Sequence, residues 1–190
     1  MTIRIVFCGT PQFAVPSLRH LLAQPDFEVL AVITQPDRPS GRGQKVAPSP
    51  VKAVARERGI RVLQPERITS ADTERLLLDL SPDAVAIMAY GQIVPPGLLS
   101  LPRLGWINLH ASLLPKYRGA APIQWAIARG VQKTGLTTMR IDAGLDTGAI
   151  LLQQESSSAP TRPRPNSPPE WLTPVLPCWR ILCASWPRGK

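Results

Sequence analysis

The sequence predicts an α/β fold, in which a mostly parallel sheet carries helices on both faces. Short apolar runs alternate with amphipathic helical stretches along residues 1–155, at the spacing typical of strand–helix–strand units. The apolar runs are continuous rather than alternating with polar residues, as expected for parallel strands that are covered on both faces. With 190 residues, the chain has the length of one domain with a short appendage.

The individual elements follow from the apolar runs and from the turn residues between them. Five strands are expected, each an apolar run that ends at a turn or loop: residues 3–8, 29–34, 60–63, 84–89 and 105–110. Three helices with amphipathic periodicity are expected between them: residues 13–23, 51–58 and 70–80. Residues 35–50 hold four prolines and two glycines and are therefore expected to form a long loop.

Three of the predicted strands end in residues that suit a ligand site: Gly9-Thr10-Pro11, Tyr90-Gly91 and Asn108-Leu109-His110. Because ligands bind beyond the carboxyl ends of the strands in open parallel sheets, we expect the functional site at this edge. The first of these turns has a single glycine, and its proline lacks an N–H donor. A phosphate cradle of the dinucleotide-binding type is therefore not favoured.

Composition excludes several classes of protein. Three cysteines at no metal-like spacing indicate neither a disulfide framework nor a zinc finger, and they favour a reducing, cytoplasmic location. No apolar run reaches the ~18 residues of a membrane span, and the N-terminus lacks the pattern of a signal peptide. The net charge of +9 is consistent with a polyanionic partner such as nucleic acid, or simply with a basic, soluble protein.

Asn108 and His110 are the leading candidates for chemistry. They lie two residues apart in a predicted strand, so their side chains point the same way, about 7 Å apart along the backbone. A lone histidine at a strand end is more often structural, but the neighbouring amide and the cationic loop that follows favour catalysis. The segment 142–148 holds two carboxylates, one of which would orient the imidazole. The other histidine, His20, is predicted to lie on the surface of the first helix.

Four separated motifs carry a resemblance to a known family: residues 9–14, residues 34–45 with 48–52, residues 108–115 with Arg118, Gly119 and Pro122, and residues 142–148. Together they resemble the folate-dependent formyltransferases, which use 10-formyltetrahydrofolate as one-carbon donor, and they imply a Rossmann-like formyltransferase fold. The second motif is similar to the loop with which the methionyl-tRNA branch of the family reaches the acceptor end of initiator tRNA. The resemblance covers about residues 3–155.

The resemblance implies a role for each candidate residue. Asn108 and a protonated His110 would stabilise the oxyanion of a tetrahedral intermediate, and Asp146 would hold the imidazole in place. Backbone of the loop after the strand would line the folate site, at Ser112, Leu113, Leu114 and Pro115. Residues at the end of the preceding strand would flank the pterin: Met88, Ala89 and Tyr90. The cationic loop residues would contact tRNA: Arg38, Arg42 and Lys45.

The implied reaction transfers a formyl group from 10-formyltetrahydrofolate to the α-amino group of methionine on initiator tRNA, in support of translation initiation. The implied partners are initiator methionyl-tRNA and folate; neither a metal nor a membrane is expected, and the protein is expected to be a monomer. Two alternatives remain open. One is a formyltransferase that acts on a small amine, such as a sugar nucleotide or glycinamide ribonucleotide. The other is an inactive, truncated remnant that binds folate or RNA.

Residues 156–190 differ in composition from the expected catalytic domain, residues 1–155. They hold eight of the 22 prolines and three of the five tryptophans, and neither a strand period nor a helical period persists in them. We expect this tail to be disordered or to be encoded by a shifted reading frame. The barrel-like C-terminal domain of the resembled family is not readable in it and is expected to be absent.

Overall fold

The computed structural model describes residues 2–40 and 45–156. The chain divides into two compact units, an N-terminal unit of residues 1–106 and a C-terminal unit of residues 107–190. Arg42 and almost all of the predicted tail, residues 156–190, lie outside the described residues. The expectation that this tail is disordered or frame-shifted therefore stays a prediction.

The N-terminal unit is built on a parallel sheet. Its strands are β1 (Ile3–Gly9), β2 (Phe27–Ile33), β3 (Arg38–Ser40), β4 (Lys45–Ala47), β5 (Arg61–Leu63) and β6 (Ala84–Met88). Strand β1 pairs in parallel with β2 and β6, and β2 pairs in parallel with β5, which gives the order β5-β2-β1-β6. All five residues of β6 are buried, as the continuous apolar run predicts.

The helices of this unit are α1 (Val15–Ala23), α2 (Pro50–Glu57), α3 (Ala71–Leu80) and the short α4 (Pro96–Leu99). Serine side chains cap α2 and α3: the Ser49 hydroxyl accepts from the backbone N–H of Lys52, and that of Ser70 from Thr73. No helix within the described ranges is long and apolar enough to cross a membrane.

The prediction that His20 lies on the surface is wrong, since it is only 7% exposed. Ser17, His20 and Leu21 are all buried, at the i, i+3 and i+4 positions of one face of α1. His20 therefore lies on the core-facing side of α1, one turn after Ser17.

The prediction of a long loop at residues 35–50 is also wrong in its middle part. Strands β3 and β4 pair antiparallel, with Arg38 opposite Ala47 and Ser40 opposite Lys45. Pro39 is compatible with this pairing because both strands of a two-stranded ribbon are edges, where a missing N–H is tolerated. Of the tRNA contacts predicted from the resemblance, Arg38 and Lys45 therefore lie on paired strands rather than on an irregular loop.

The C-terminal unit contains an antiparallel arrangement that the sequence did not predict. Strand β8 (Thr134–Arg140) pairs antiparallel with β7 (Trp106–His110) and with β9 (Ile150–Ser156), and α5 (Pro122–Ala128) lies between β7 and β8 in the chain. Gly135 allows the close approach of β9, because a Cβ there would lie 2.1 Å from the Gln154 carbonyl oxygen. Strand β8 lacks the continuous apolar run used to predict strands, and in β9 only residues 150–152 are apolar.

Candidate active site

The three residues predicted to be catalytic meet in the C-terminal unit. Asn108 and His110 project from β7, and Asp146 comes from the loop between β8 and β9. The Asn108 Nδ2 lies 3.4 Å from Asp146 Oδ1, and His110 Nδ1 lies 3.5 Å from Asp146 Oδ2. The side chains of His110 and Asp146 are 7% and 15% exposed, so the pair is largely withdrawn from solvent. This arrangement agrees with the same-face prediction for Asn108 and His110.

Asp146 is held by backbone as well as by these side chains. Its Oδ2 accepts a hydrogen bond of 2.8 Å from the backbone N–H of Gly119. Asp146 itself has a φ of +50°, a left-handed conformation that few residues other than glycine adopt. Strain of this kind persists where the surroundings determine the conformation, and here the surroundings place one carboxylate against three donors.

The two ring nitrogens of His110 both face oxygen atoms. Nε2 lies 2.8 Å from the carbonyl oxygen of Tyr117, while Nδ1 faces Asp146. A carbonyl oxygen can only accept, so Nε2 carries the proton of this hydrogen bond. The Nε2–H must therefore leave the Tyr117 carbonyl before it can donate to a substrate oxygen. Sequence reasoning missed this contact because a backbone carbonyl has no side-chain signature.

Thr137 on β8 fixes the backbone of the predicted folate segment. Its hydroxyl donates to the Ser112 carbonyl at 2.7 Å and accepts from the Leu114 N–H at 3.1 Å. Gln153 on β9 donates to the Leu114 carbonyl at 2.7 Å. The Ser112 hydroxyl in turn donates to the Lys116 carbonyl at 2.6 Å. The segment is thus rigidly placed by two strands that the sequence did not predict. Leu113 is half-buried and Pro115 is exposed.

Met88, Ala89 and Tyr90 lie at the carboxyl end of β6 in the N-terminal unit. The side chains of Met88 and Tyr90 are buried, and Met88 Sδ accepts a hydrogen bond from Ser17. Burial, with a smaller contribution from Cys8, raises the pKa of the Tyr90 hydroxyl above its ordinary value. Ala89 is partly exposed and has a φ of +48°. Of the three residues, only Ala89 is partly open to solvent.

Strand ends of the N-terminal unit converge on an open cleft of about 470 Å³. It is lined by the turn after β1, by segments on both sides of the β3–β4 hairpin and by the turn after β6, including Pro11, Pro36, Pro48 and Tyr90. Gln35 closes one side, since its Nε2 donates to the Tyr90 carbonyl at 3.1 Å. Within this unit, the convergence predicted from the strand ends is confirmed.

A buried lysine anchors the base of the β3–β4 hairpin. The Lys52 ammonium contacts the Asp37 carboxylate and the Gln64 side-chain oxygen, with only 8% of the lysine side chain exposed. Gln64 Nε2 also donates at 2.8 Å to Asp37 Oδ1 and at 2.8 Å to the Gln35 carbonyl. The hydrogen bond from Lys52, followed by that from Gln64, lowers the pKa of Asp37. These contacts fix the residues that lead into Arg38.

This anchor predicts a stability that depends on pH. Because the pKa of Asp37 is lowered in the folded chain, its contribution is present above the ordinary value of 3.8 and is lost as the pH falls through the lowered value. In Asp37→Asn, the free energy of unfolding, measured in urea between pH 7 and pH 3, should therefore fall less steeply as the pH is lowered. Lys52→Ala should cost about 3 kcal/mol at pH 7, because it leaves a partly buried carboxylate unpaired. A Lys52→Ala variant as stable as the parent at pH 7 would contradict the assignment.

No group of three or more His, Cys, Asp or Glu side chains in residues 2–40 and 45–156 is arranged to hold a metal ion.

Residues 2–162 match the family model described as Formyl transferase. The chain belongs to this family. It is 57% identical over 152 residues to methionyl-tRNA formyltransferase of Pelotomaculum thermopropionicum, an alignment that covers 80% of this chain and 48% of that relative. It is 51% identical over 158 residues to the methionyl-tRNA formyltransferase of Geobacter metallireducens, covering 83% of this chain and 50% of that one. The chain thus spans about half the length of these relatives.

Solved structures agree on the fold. Phosphoribosylglycinamide formyltransferase from Bacillus halodurans superposes with a TM-score of 0.66 at 23% identity, covering 97% of this chain and 91% of that one. The enzyme of the same name from Streptococcus pneumoniae gives a TM-score of 0.67 at 23% identity, with coverages of 97% and 96%. The predicted fold class, α/β with a Rossmann-like, mostly parallel sheet, is thereby confirmed.

Proposed function

We propose that the chain carries the catalytic machinery for transfer of a formyl group from 10-formyltetrahydrofolate to the methionine α-amine of initiator methionyl-tRNA. The observation that supports it most directly is the meeting of Asn108, His110 and Asp146 in a largely buried cluster. The identity of more than half to methionyl-tRNA formyltransferases supports the choice of substrate. We place the reaction in the cytoplasm.

The cluster suits the electrostatic demands of acyl transfer to an amine. The ordinary pKa of an α-amine is near 7.7, so much of it is neutral and nucleophilic at physiological pH. As the amine attacks the formyl carbon, negative charge develops on the formyl oxygen. The Asn108 amide and the His110 imidazolium donate to that oxygen, and the proton lost by the amine passes to water or to a carboxylate. Collapse then breaks the bond between the formyl carbon and the folate nitrogen, and that nitrogen takes up a proton from water or a carboxylate as it leaves.

Asp146 serves this chemistry by position and by charge. Its carboxylate faces His110 Nδ1 at 3.5 Å, which fixes the orientation of the ring. Its second anchor, the Gly119 N–H, keeps the carboxylate from rotating away. The Tyr117 carbonyl occupies His110 Nε2 in this conformation, so substrate binding exchanges one oxygen acceptor for another.

The folate would contact the backbone of residues 112–115 in the C-terminal unit. The fixed backbone of Ser112 and Leu114 supports this, because Thr137 and Gln153 hold it through hydrogen bonds. Beside Met88 and Tyr90, whose side chains are buried, contacts to the pterin would be made by Ala89 and by backbone.

The β3–β4 hairpin would supply cations to the tRNA backbone. Arg38 on β3 is exposed, and Lys45 begins β4. Arg42 stands between the two strands in sequence, beside Gly41 and Gly43. The contact of Lys52 with Asp37 would fix the position of the base of this hairpin.

Arg42→Ala is expected to raise the KM for methionyl-tRNA about tenfold while folate binding is unchanged, because phosphate contacts position the RNA without touching the folate. Steady-state formylation at several tRNA concentrations measures this. Arg75→Ala, which removes an exposed arginine from α3, is the matched control and should have no effect. Equal loss of tRNA use and folate binding would indicate misfolding and contradict the assignment.

The substrate is tested by comparing two acceptor amines in parallel reactions. Purified chain is incubated with formyl-labelled 10-formyltetrahydrofolate and either charged initiator tRNA or glycinamide ribonucleotide. Transfer to methionyl-tRNA alone is the expected result. Preferential transfer to the small amine would replace the proposed substrate, and folate or RNA binding without any transfer would identify a non-catalytic remnant.

A further inference from the structure

A cationic and aromatic surface lies on the C-terminal unit, in the loop after β7 and on α5. Five residues line an open groove of about 540 Å³: Lys116, Tyr117, Arg118, Trp125 and Arg129. We call it the Trp125 patch. It carries three positive charges, and no acidic residue is among the described residues that line it. None of these five residues was assigned a binding role from the sequence.

The two aromatic rings of the Trp125 patch are held by one guanidinium. The Cζ atom of Arg129 lies 5.6 Å from the centre of the Trp125 ring and 5.9 Å from that of Tyr117, within cation–π range. Trp125 lies in α5 and Arg129 is the C-terminal cap of that helix. Because the two residues are four apart, they lie on the same face of the helix. Trp125 nevertheless stays 52% exposed. A tryptophan fixed in place but open to solvent is suited to stack on a planar ligand.

The combination of a stacking ring with flanking cations favours single-stranded nucleic acid. Base-to-aromatic stacking and phosphate neutralisation are the two components by which proteins bind unpaired strands. An acidic peptide would use the three cations and leave the exposed indole without a role. Lys116 and Arg118 lie on either side of Tyr117 in sequence, as a chain of phosphates running past the rings requires.

The Trp125 patch is directly connected to the proposed catalytic cluster. Its Tyr117 contributes the carbonyl oxygen that accepts from His110 Nε2 at 2.8 Å. Two residues further along the same loop, the backbone N–H of Gly119 donates to Asp146 Oδ2 at 2.8 Å. A strand that stacks on this surface therefore ends close to the donors that the reaction uses.

We infer that the Trp125 patch binds the unpaired 3′ end of the RNA substrate, with a terminal base stacked on Trp125 and its phosphates beside Lys116, Arg118 and Arg129. The inference rests on the proposed function, since it locates the RNA that delivers the reactive amine. It adds a second RNA contact, on a different unit from the β3–β4 hairpin.

The test is direct binding of a fluorescently labelled, short single-stranded RNA ending in CCA-3′ to the full chain, followed by anisotropy. Trp125→Ala is expected to weaken binding about tenfold, because one stacked base is lost. Trp125→Phe retains a ring and should keep most of the affinity. Arg118→Ala should lower the slope of log K against log salt by about 0.7, the loss of one phosphate contact.

Lys133→Ala is the matched control, because it removes an exposed cation of the same unit that pairs with Glu155 outside the patch. It should leave both affinity and salt slope unchanged. An affinity that is insensitive to Trp125→Ala, or an oligoglutamate that competes as well as the RNA, would overturn the inference. If the RNA binds as expected but methionyl-tRNA is not formylated, the patch stands and the proposed function fails. If Trp125→Ala formylates methionyl-tRNA with an unchanged KM, the proposed function stands and the Trp125 patch fails as an RNA site.

Discussion

His110→Ala is expected to slow formyl transfer to methionyl-tRNA by about a hundredfold to a thousandfold, the usual cost of one donor to a developing oxyanion. The imidazole is held between the Asp146 carboxylate on one side and the Tyr117 carbonyl on the other. Asn108→Ala should cause a loss of the same order, since its amide is the second donor. Single-turnover formylation at saturating tRNA and folate measures the effect on the chemical step.

Folate affinity is the control for these variants. The predicted folate segment is held by Thr137 and Gln153 rather than by His110, so the dissociation constant of the folate should change little. Thermal unfolding should also remain cooperative. Undiminished turnover in His110→Ala would contradict the catalytic assignment, whatever the folate affinity.

Gly148→Ala is expected to have the largest effect on folding. An alanine Cβ at this position would lie 1.9 Å from the carbonyl oxygen of Arg140, a backbone atom that cannot rotate away. The neighbouring N–H of Arg140 is bonded to the Ala149 carbonyl at 2.9 Å, so the loop cannot shift without breaking the start of the β8–β9 pairing. We expect a loss of about 4 kcal/mol in the free energy of unfolding, measured in urea.

Gly97→Ala is the matched substitution in open space. A Cβ at Gly97 would meet no heavy atom within 4 Å, and the residue lies within the helix α4. It should therefore be neutral or stabilising by up to about 1 kcal/mol. If both alanine variants unfold at the same urea concentration, the close approach at Gly148 is not what holds the loop of Asp146.

The parallel part of the fold could be predicted from the sequence because burial on both faces leaves a simple signal. Strand β6 is a fully buried apolar run, and its predicted bounds differ from the observed ones by one residue. Strand β9 has the opposite character, with three consecutive polar residues, 153–155, and mostly exposed side chains. Its pairing with β8 depends on a distant partner and on Gly135, neither of which periodicity can show.

The part of the candidate site that is formed by side chains could be predicted from the sequence. Strand geometry placed Asn108 and His110 on one face, and family resemblance selected Asp146. The Tyr117 carbonyl and the Gly119 N–H were missed because every residue has these groups, and only the folded loop aims them at the cluster. The Trp125 patch was missed because Trp125 and Arg129 had not been placed on a common helix.

The central claim is that Asn108, His110 and Asp146 act as one unit, and a double-mutant cycle tests it most directly. Turnover is measured for His110→Ala, for Asp146→Ala and for the double variant, with folate and methionyl-tRNA saturating. Because Asp146 acts through the imidazole, the double variant should be hardly slower than His110→Ala alone. Losses that multiply, so that the double variant shows the product of the two single effects, would mean that the two residues act independently and would contradict the account.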